Sequence, residues 1–211
     1  MINFYKKYIN EDIKFDKITM ISIICLMIVI AGIFGFVYEF IFYYMNSGFK
    51  TFYYRGGNFL PWINIYAIGA IFIYLLTYKY RENFIKVFLL STIICGVLEY
   101  ISGYVMYNFF DGFRCWDYNT EILNFGNIGG FICLRSVLFF GISSLLLIYV
   151  IVPLIYYLAS IMNKKLFIII SITLFSIFML DEIYNLLIAR IINTPRASDI
   201  YKKIGFKYMN F

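Results

Sequence analysis

Glu39, Glu99, Arg135 and the adjacent Asp181 and Glu182 stand inside runs that are otherwise apolar enough to cross a lipid bilayer. A charge at the centre of a spanning helix costs about 2.5–3.5 kcal/mol on insertion scales, so such residues are as a rule paired or functional. Glu39 falls towards the outer end of its run, Glu99 mid-to-outer in another, and Arg135 close to the outer start of a third. Arg55 and Asp117 approach them from the intervening loops. A guanidinium cannot shed its proton, so in low dielectric Arg135 is expected to reach Glu99 or Asp117, and Glu39 to take Arg55 or another donor. Two readings of the pattern stay open: a polar pocket for a solute, or ion pairs that only fix helix register. Gly32 and Gly35 beside Glu39, and Gly96 and Gly103 beside Glu99, allow the close helix approach that either reading needs.

The string Trp116-Asp117-Tyr118-Asn119 is the most distinctive loop sequence. Trp and Tyr favour the membrane interface, which accounts for the aromatics but not for Asp117 between them. Asn124, Gly126, Asn127, Gly129 and Gly130 follow as a turn-rich approach to the next apolar run. Glu39, Arg55, Glu99, Trp116, Asp117, Tyr118 and Arg135 are therefore the candidate substrate-binding residues. The chain has no histidine, which excludes His-based triads, His metal sites and His proton relays. No catalytic residue, metal site or cofactor is expected. The cysteines Cys25, Cys95, Cys115 and Cys133 form no CxxC pair, although a Cys115–Cys133 disulfide is conceivable on an oxidising side.

The elements that must position these residues are membrane helices. The 211 residues are 63% hydrophobic and 14% charged, against about 25% charged in soluble domains, which points to a polytopic all-α transmembrane bundle. Five spans are expected, at about 18–44, 60–78, 84–110, 128–158 and 166–192, each long enough at about 20 residues per crossing. Pro61 would sit in the first turn of the second span. The fifth is interrupted by Asp181 and Glu182. The first is too long for a signal-peptide core and should remain as an anchor. Residues 1–17 form a charged N-terminal segment, 18–192 the membrane domain and 193–211 a basic tail.

With the N-terminus inside, inner segments hold nine basic residues (Lys6, Lys7, Lys14, Lys17, Lys79, Arg81, Lys86, Lys164, Lys165) and the outer loops three (Lys50, Arg55, Arg114). That imbalance favours an N-in core, with Arg190, Arg196, Lys202, Lys203 and Lys207 opposing it. The net charge of +6 is topogenic in this pattern rather than a nucleic-acid footprint. The expected location is the bacterial cytoplasmic membrane, with the bilayer as first partner and the oligomeric state open. A parallel two-helix repeat is also legible: each Glu-bearing helix leads to a Gly-Phe-Lys/Arg outer loop, at 48–50 and 112–114, and then to another helix. Coincidence between glycine-rich helices is the competing explanation.

The chain resembles the CmpB-type family of ABC-transporter permeases, small bacterial polytopic membrane proteins. The resemblance rests on Gly35-Phe-Val-Tyr-Glu39, Arg55-Gly56 with Pro61, Ile65-Tyr66 and Gly69, Leu98-Glu99-Tyr100 with Gly103, Trp116-Asp117-Tyr118, and Gly130 through Ile132-Cys133-Leu134-Arg135-Ser136. These motifs cover about residues 31–153. Tyr107 stands where the family carries a further Glu, and Asn64 where it carries a second proline. The resemblance implies a transporter's membrane subunit. No G-x-x-x-x-G-K-[ST] string occurs, so the nucleotide would be bound by a separate ATPase subunit. The inner loops, about 79–83 and 163–165, offer such a subunit little surface. The other classes that fit are an intramembrane enzyme acting on a lipid or prenyl substrate, with Glu99 as general acid, and a regulatory membrane partner without turnover.

Overall fold

A computed structural model describes residues 2–109, 112, 114 and 116–207. Seven helices carry the chain, with no strand among the described residues: α1 (Ile2–Asn10), α2 (Lys17–Asn46), α3 (Asn64–Thr77), α4 (Phe84–Phe109), α5 (Leu134–Ile161), α6 (Lys164–Ile191) and α7 (Ala197–Lys203). Helices α2, α4, α5 and α6 are long and apolar enough to cross a membrane. Their outward Ile, Leu and Val side chains, such as Ile93 and Ile142, are exposed as lipid-facing residues would be. The second expected span is shorter than its apolar run. Trp62 N bonds to Leu60 O and Ile63 N to Gly32 O of α2 instead of opening a helical turn, so α3 starts only at Asn64 and its 14 residues rise about 21 Å. Pro61 thus lies ahead of the helix, not in its first turn.

Local chemistry sets the helix boundaries. Asp16 caps α2, accepting from the Thr19 amide at 3.3 Å and its hydroxyl at 2.7 Å. Asn163 caps α6, accepting from Lys165 N at 3.0 Å and Leu166 N at 3.3 Å. Within α5 a π-helical segment, Leu147–Ile151, comes just before Pro153, whose missing N–H frees a carbonyl in the preceding turn. A second π segment, Tyr184–Ile188, lies in α6 where the Asn185 amide donates to the Asp181 carbonyl at 2.9 Å.

The chain divides after Ile71 and after Val150 into two compact units. In the first, α2 packs along α6, and Ile28, Val29, Trp62, Ala67 and Phe178 form the core. Trp62 and Phe178 meet edge-to-face at 5.2 Å. At one end of these helices Lys164 Nζ lies 2.9 Å from Asp16; about four turns further along each, Phe178 of α6 faces Gly32 of α2, and Asp181 holds the part of the α2–α3 loop that returns to that level. Helices α2 and α6 are therefore parallel, and Asp181 and Glu182 do not stop α6, which continues to Ile191. At the Asp16 end, α1 rests on the last turns of α5 through Phe4–Tyr157 and Tyr8–Tyr156 ring contacts at 5.4 and 5.6 Å. The basic tail is anchored too: Ala197 N donates to Asn185 Oδ1 at 2.7 Å, and Tyr201 Oη to Phe59 O at 2.7 Å.

In the second unit, α4 packs against the first half of α5. A Cβ on Gly96 would come within 2.9 Å of Val137, and one on Gly141 would run into Phe88 and Thr92. Glycines on both partners thus set a close approach at which a larger residue would wedge the helices apart.

Candidate functional site

Glu99, on α4, is 4% exposed, and the loop before α5 supplies what surrounds it. Its Oε1 accepts from the Tyr118 hydroxyl and its Oε2 from Ser136 Oγ at 2.8 Å. Ser136 lies in the first turn of α5, where its hydroxyl also accepts from Cys133 N at 3.3 Å. The loop's fold explains how Tyr118 arrives there. Tyr118 N donates to Gly130 O at 3.1 Å, Asn124 Nδ2 donates to Tyr118 O at 2.8 Å, and Trp116 Nε1 donates to Phe131 O at 2.9 Å. Gly130 has φ +78, and a Cβ there would run into Arg114, Asp117 and Asn119, so only glycine closes this turn. Burial and the neighbouring Glu99 carboxylate push the Tyr118 hydroxyl well above the usual tyrosine range, which keeps it protonated and donating.

Arg135 shares the first turn of α5, and its Nη2 lies 2.6 Å from the carboxylate of Glu121, itself 4% exposed. The sequence assigns Arg135 to Glu99 or Asp117; the geometry gives this close contact to Glu121. Glu121 was invisible as a partner because, in a polar loop, it reads as solvated. The guanidinium also lies over the Tyr118 ring at 5.4 Å, which joins the two halves of the cluster. Asp117 is turned the other way: its Oδ1 accepts from Asn119 Nδ2 at 2.7 Å and meets Arg114 at 3.4 Å. Glu99, Tyr118 and Arg135 are thus brought together, with Trp116 and Asp117 bracing the loop that carries them. Cys115, and with it any Cys115–Cys133 link, lies outside the described residues.

Glu39 and Arg55 belong to the first unit and pair as expected, Arg55 Nε to Glu39 Oε2 at 2.7 Å, with the guanidinium 4.2 Å above the Tyr43 ring. Four residues along α2, Gly35 lies flat against Tyr66 of α3, leaving no room for a Cβ. The first unit also holds a polar cluster outside the expected set. Asp181 accepts from Phe59 N and Leu60 N at 2.9 Å each and from Asn185 Nδ2 at 2.7 Å; Glu182 accepts from Asn58 and Asn64 at 2.7 and 3.3 Å. Asn58 and Asn64 gave no signal in the sequence, since loop asparagines are common turn formers. No group of three or more His, Cys, Asp or Glu able to hold a metal occurs among the described residues.

Long apolar helices with carboxylates satisfied inside them define a polytopic α-helical membrane protein. A family model described as "Putative ABC-transporter type IV", of the CmpB group, matches residues 26–186, most of the chain, and the protein belongs to that family. No curated protein and no solved structure matches it.

Proposed function

We propose that this protein is the permease-like membrane subunit of an ABC-type transporter whose ATPase is a separate chain, and that its solute site centres on Glu99. The observation that carries this reading is the buried carboxylate at the α4–α5 contact, held by two neutral hydroxyls rather than by a cation at hydrogen-bond distance. Hydroxyl donors exchange readily for the N–H or O–H of a polar solute, whereas breaking a buried ion pair would strand a charge. Tyr118, Ser136 and Glu99 would contact the solute, and Arg135 with Glu121 would hold their loop. Trp116 and Asp117 brace that loop, and the Glu39–Arg55 pair is a second polar element along the first unit.

The family membership supports the transport role; this sequence carries no P-loop, so in this reading a separate chain would hydrolyse the nucleotide. In this reading residues 1–17 face the cytoplasm of a bacterial cell, 18–192 form the membrane domain and 193–211 cap its outer end. An enzyme using Glu99 as general acid is less favoured, because both carboxylate oxygens already accept hydrogen bonds.

The test is purification from native membranes in mild detergent. A P-loop subunit in stoichiometric amount, with ATPase activity that Glu99→Gln uncouples from solute addition, is the expected result. A chain that purifies with no ATPase from membranes where it is abundant would sink the permease reading.

A further inference from the structure

The first unit contains a groove that the transport reading does not use. It opens between the loop after α2 and the segment after α7, with a volume of about 350 Å³. Lys50 and Lys207 stand among its walls, and Phe52, Ile204 and Phe206 give it apolar surface. Neither lysine has a carboxylate partner among the described residues. The two walls are joined by backbone: Tyr53 and Lys207 form a parallel bridge, and Tyr54 N donates to Lys207 O at 2.8 Å. Ring packing of Tyr54 against Tyr201 at 4.7 Å and Phe206 at 5.7 Å fixes the far wall. Gly205, at φ +98, makes the turn that places Lys207 at the rim.

An apolar track leaves the groove on the α2 side. Phe52 stacks on Tyr44 at 4.0 Å and on Phe40 at 5.1 Å, with interplanar angles of 8° and 10°. Phe40 and Tyr44 are one turn apart on α2, so the rings descend along the helix from its end. The depth of the groove follows from the helix length. The 30 residues of α2 rise about 45 Å, which matches a bilayer with its headgroup layers rather than its hydrocarbon alone, about 30 Å. The loop just past Asn46 therefore lies at the headgroup layer, and the aromatic track runs down from it, through Tyr44, to the edge of the hydrocarbon at Phe40, six residues or about 9 Å below the helix end.

Two ammonium groups with no carboxylate partner among the described residues, set over an apolar track, match one ligand chemistry, an anion joined to a hydrocarbon chain. We propose that the groove binds an anionic phospholipid, its phosphate between Lys50 and Lys207 and an acyl chain along Phe52, Tyr44 and Phe40. The site joins the α2 loop to the C-terminal segment, so an occupied groove clamps the tail to the end of the first unit. The inference stands on this geometry alone and does not depend on the Glu99 reading.

The test uses the full-length protein in neutral detergent, titrated with phosphatidylglycerol and, separately, with phosphatidylcholine, with bound lipid counted by native mass spectrometry. Phosphatidylglycerol should bind in preference, and the Lys50→Gln/Lys207→Gln double variant should weaken it about thirtyfold, from the electrostatic contribution of two lysines near an anionic surface. A Lys6→Gln/Lys7→Gln control should bind as the parent does. Both double variants change exposed side chains and should melt with the parent, which separates a lost site from a lost fold. Equal binding of the two lipids, unchanged binding in Lys50→Gln/Lys207→Gln, or equal loss in the control would overturn the proposal. So would displacement of the lipid by inorganic phosphate at equal concentration, which would make this a site for free anions.

Discussion

Glu121 and Arg135 form the ion pair on which the Glu99 loop depends. The Glu121 side chain is fully shielded and that of Arg135 is 13% exposed, so the pair behaves as buried. Removing one charge from such a pair costs about 3–5 kcal/mol, because the other is stranded. At about 2–4 °C per kcal/mol for a chain of this size, Glu121→Gln should lower the melting temperature by at least about 6 °C. Asp117→Asn, which touches a longer and more exposed pair, should cost less than about 1 kcal/mol. Equal shifts for the two variants in a thermal melt would contradict this assignment.

Tyr118 gives a pH signature. Its folded pKa is raised by burial, then by Glu99, above the ordinary value of 10.0. The folded state therefore keeps a proton that the unfolded chain releases, so this stability is intact below pH 10.0 and falls as pH rises beyond it. Tyr118→Phe should flatten that alkaline loss while costing about 1–3 kcal/mol at neutral pH, as Glu99 loses a donor. An alkaline limb identical to the parent's would show that Tyr118 is solvated.

At this scale the sequence marked the buried acids and misassigned some partners. A charge in an apolar run announces itself, as Glu99 and Arg135 did. Glu121, Asn58 and Asn64 become partners only through loop closure, which no local pattern encodes. Glu39–Arg55 was legible because the two lie in consecutive elements.

At the scale of elements, glycine contacts account for which helices meet. Gly35 on α2 takes the ring of Tyr66, the third residue of α3, and Gly96 on α4 takes Val137, the fourth residue of α5. Each glycine lies one turn or less before its Glu, so the two halves use the same local device: a small residue, an acid, a loop and a following helix docked by its first turn. The acids are then served differently, Glu39 by an arginine and Glu99 by hydroxyls. The device makes a compensation testable. Gly35→Ala places a methyl group in the Tyr66 ring and should destabilise by about 1–3 kcal/mol through overpacking. Adding Tyr66→Leu should recover part of that loss, because the ring is what collides. A double variant that melts at or below the sum of the two single effects would mean that the wedge lies elsewhere.

At the scale of the molecule, the parallel course of α2 and α6 decides where the chain ends lie. Both helices start at the Asp16–Lys164 pair and run side by side past the Gly32–Phe178 contact, so α1 lies at their start and α7, held to Phe59 through Tyr201, lies away from it. The sequence left the tail open because Asp181 and Glu182 interrupt the last apolar run. Their burial against Phe59, Leu60, Asn58 and Asn64 removes that reason. Arg190 near the end of α6 and the tail's four basic residues now count on the side opposite Lys6, Lys7, Lys14 and Lys17, and nine against three becomes nine against eight. Charge number alone no longer orients the chain. The first helix usually dominates topology, and α2 has four lysines up to and including its first residue, Lys17, against Lys50 and Arg55 just after it. The expected outcome is an N-terminus inside and a C-terminal segment outside. In a variant with Cys25, Cys95, Cys115 and Cys133 replaced by serine or alanine, a single cysteine at position 165 should react with impermeant maleimide only after the cells are opened. One at position 203 should react in intact cells. Labelling of both from the same side would break the parallel α2–α6 arrangement, and the reverse pattern would keep that arrangement while inverting the protein in its membrane.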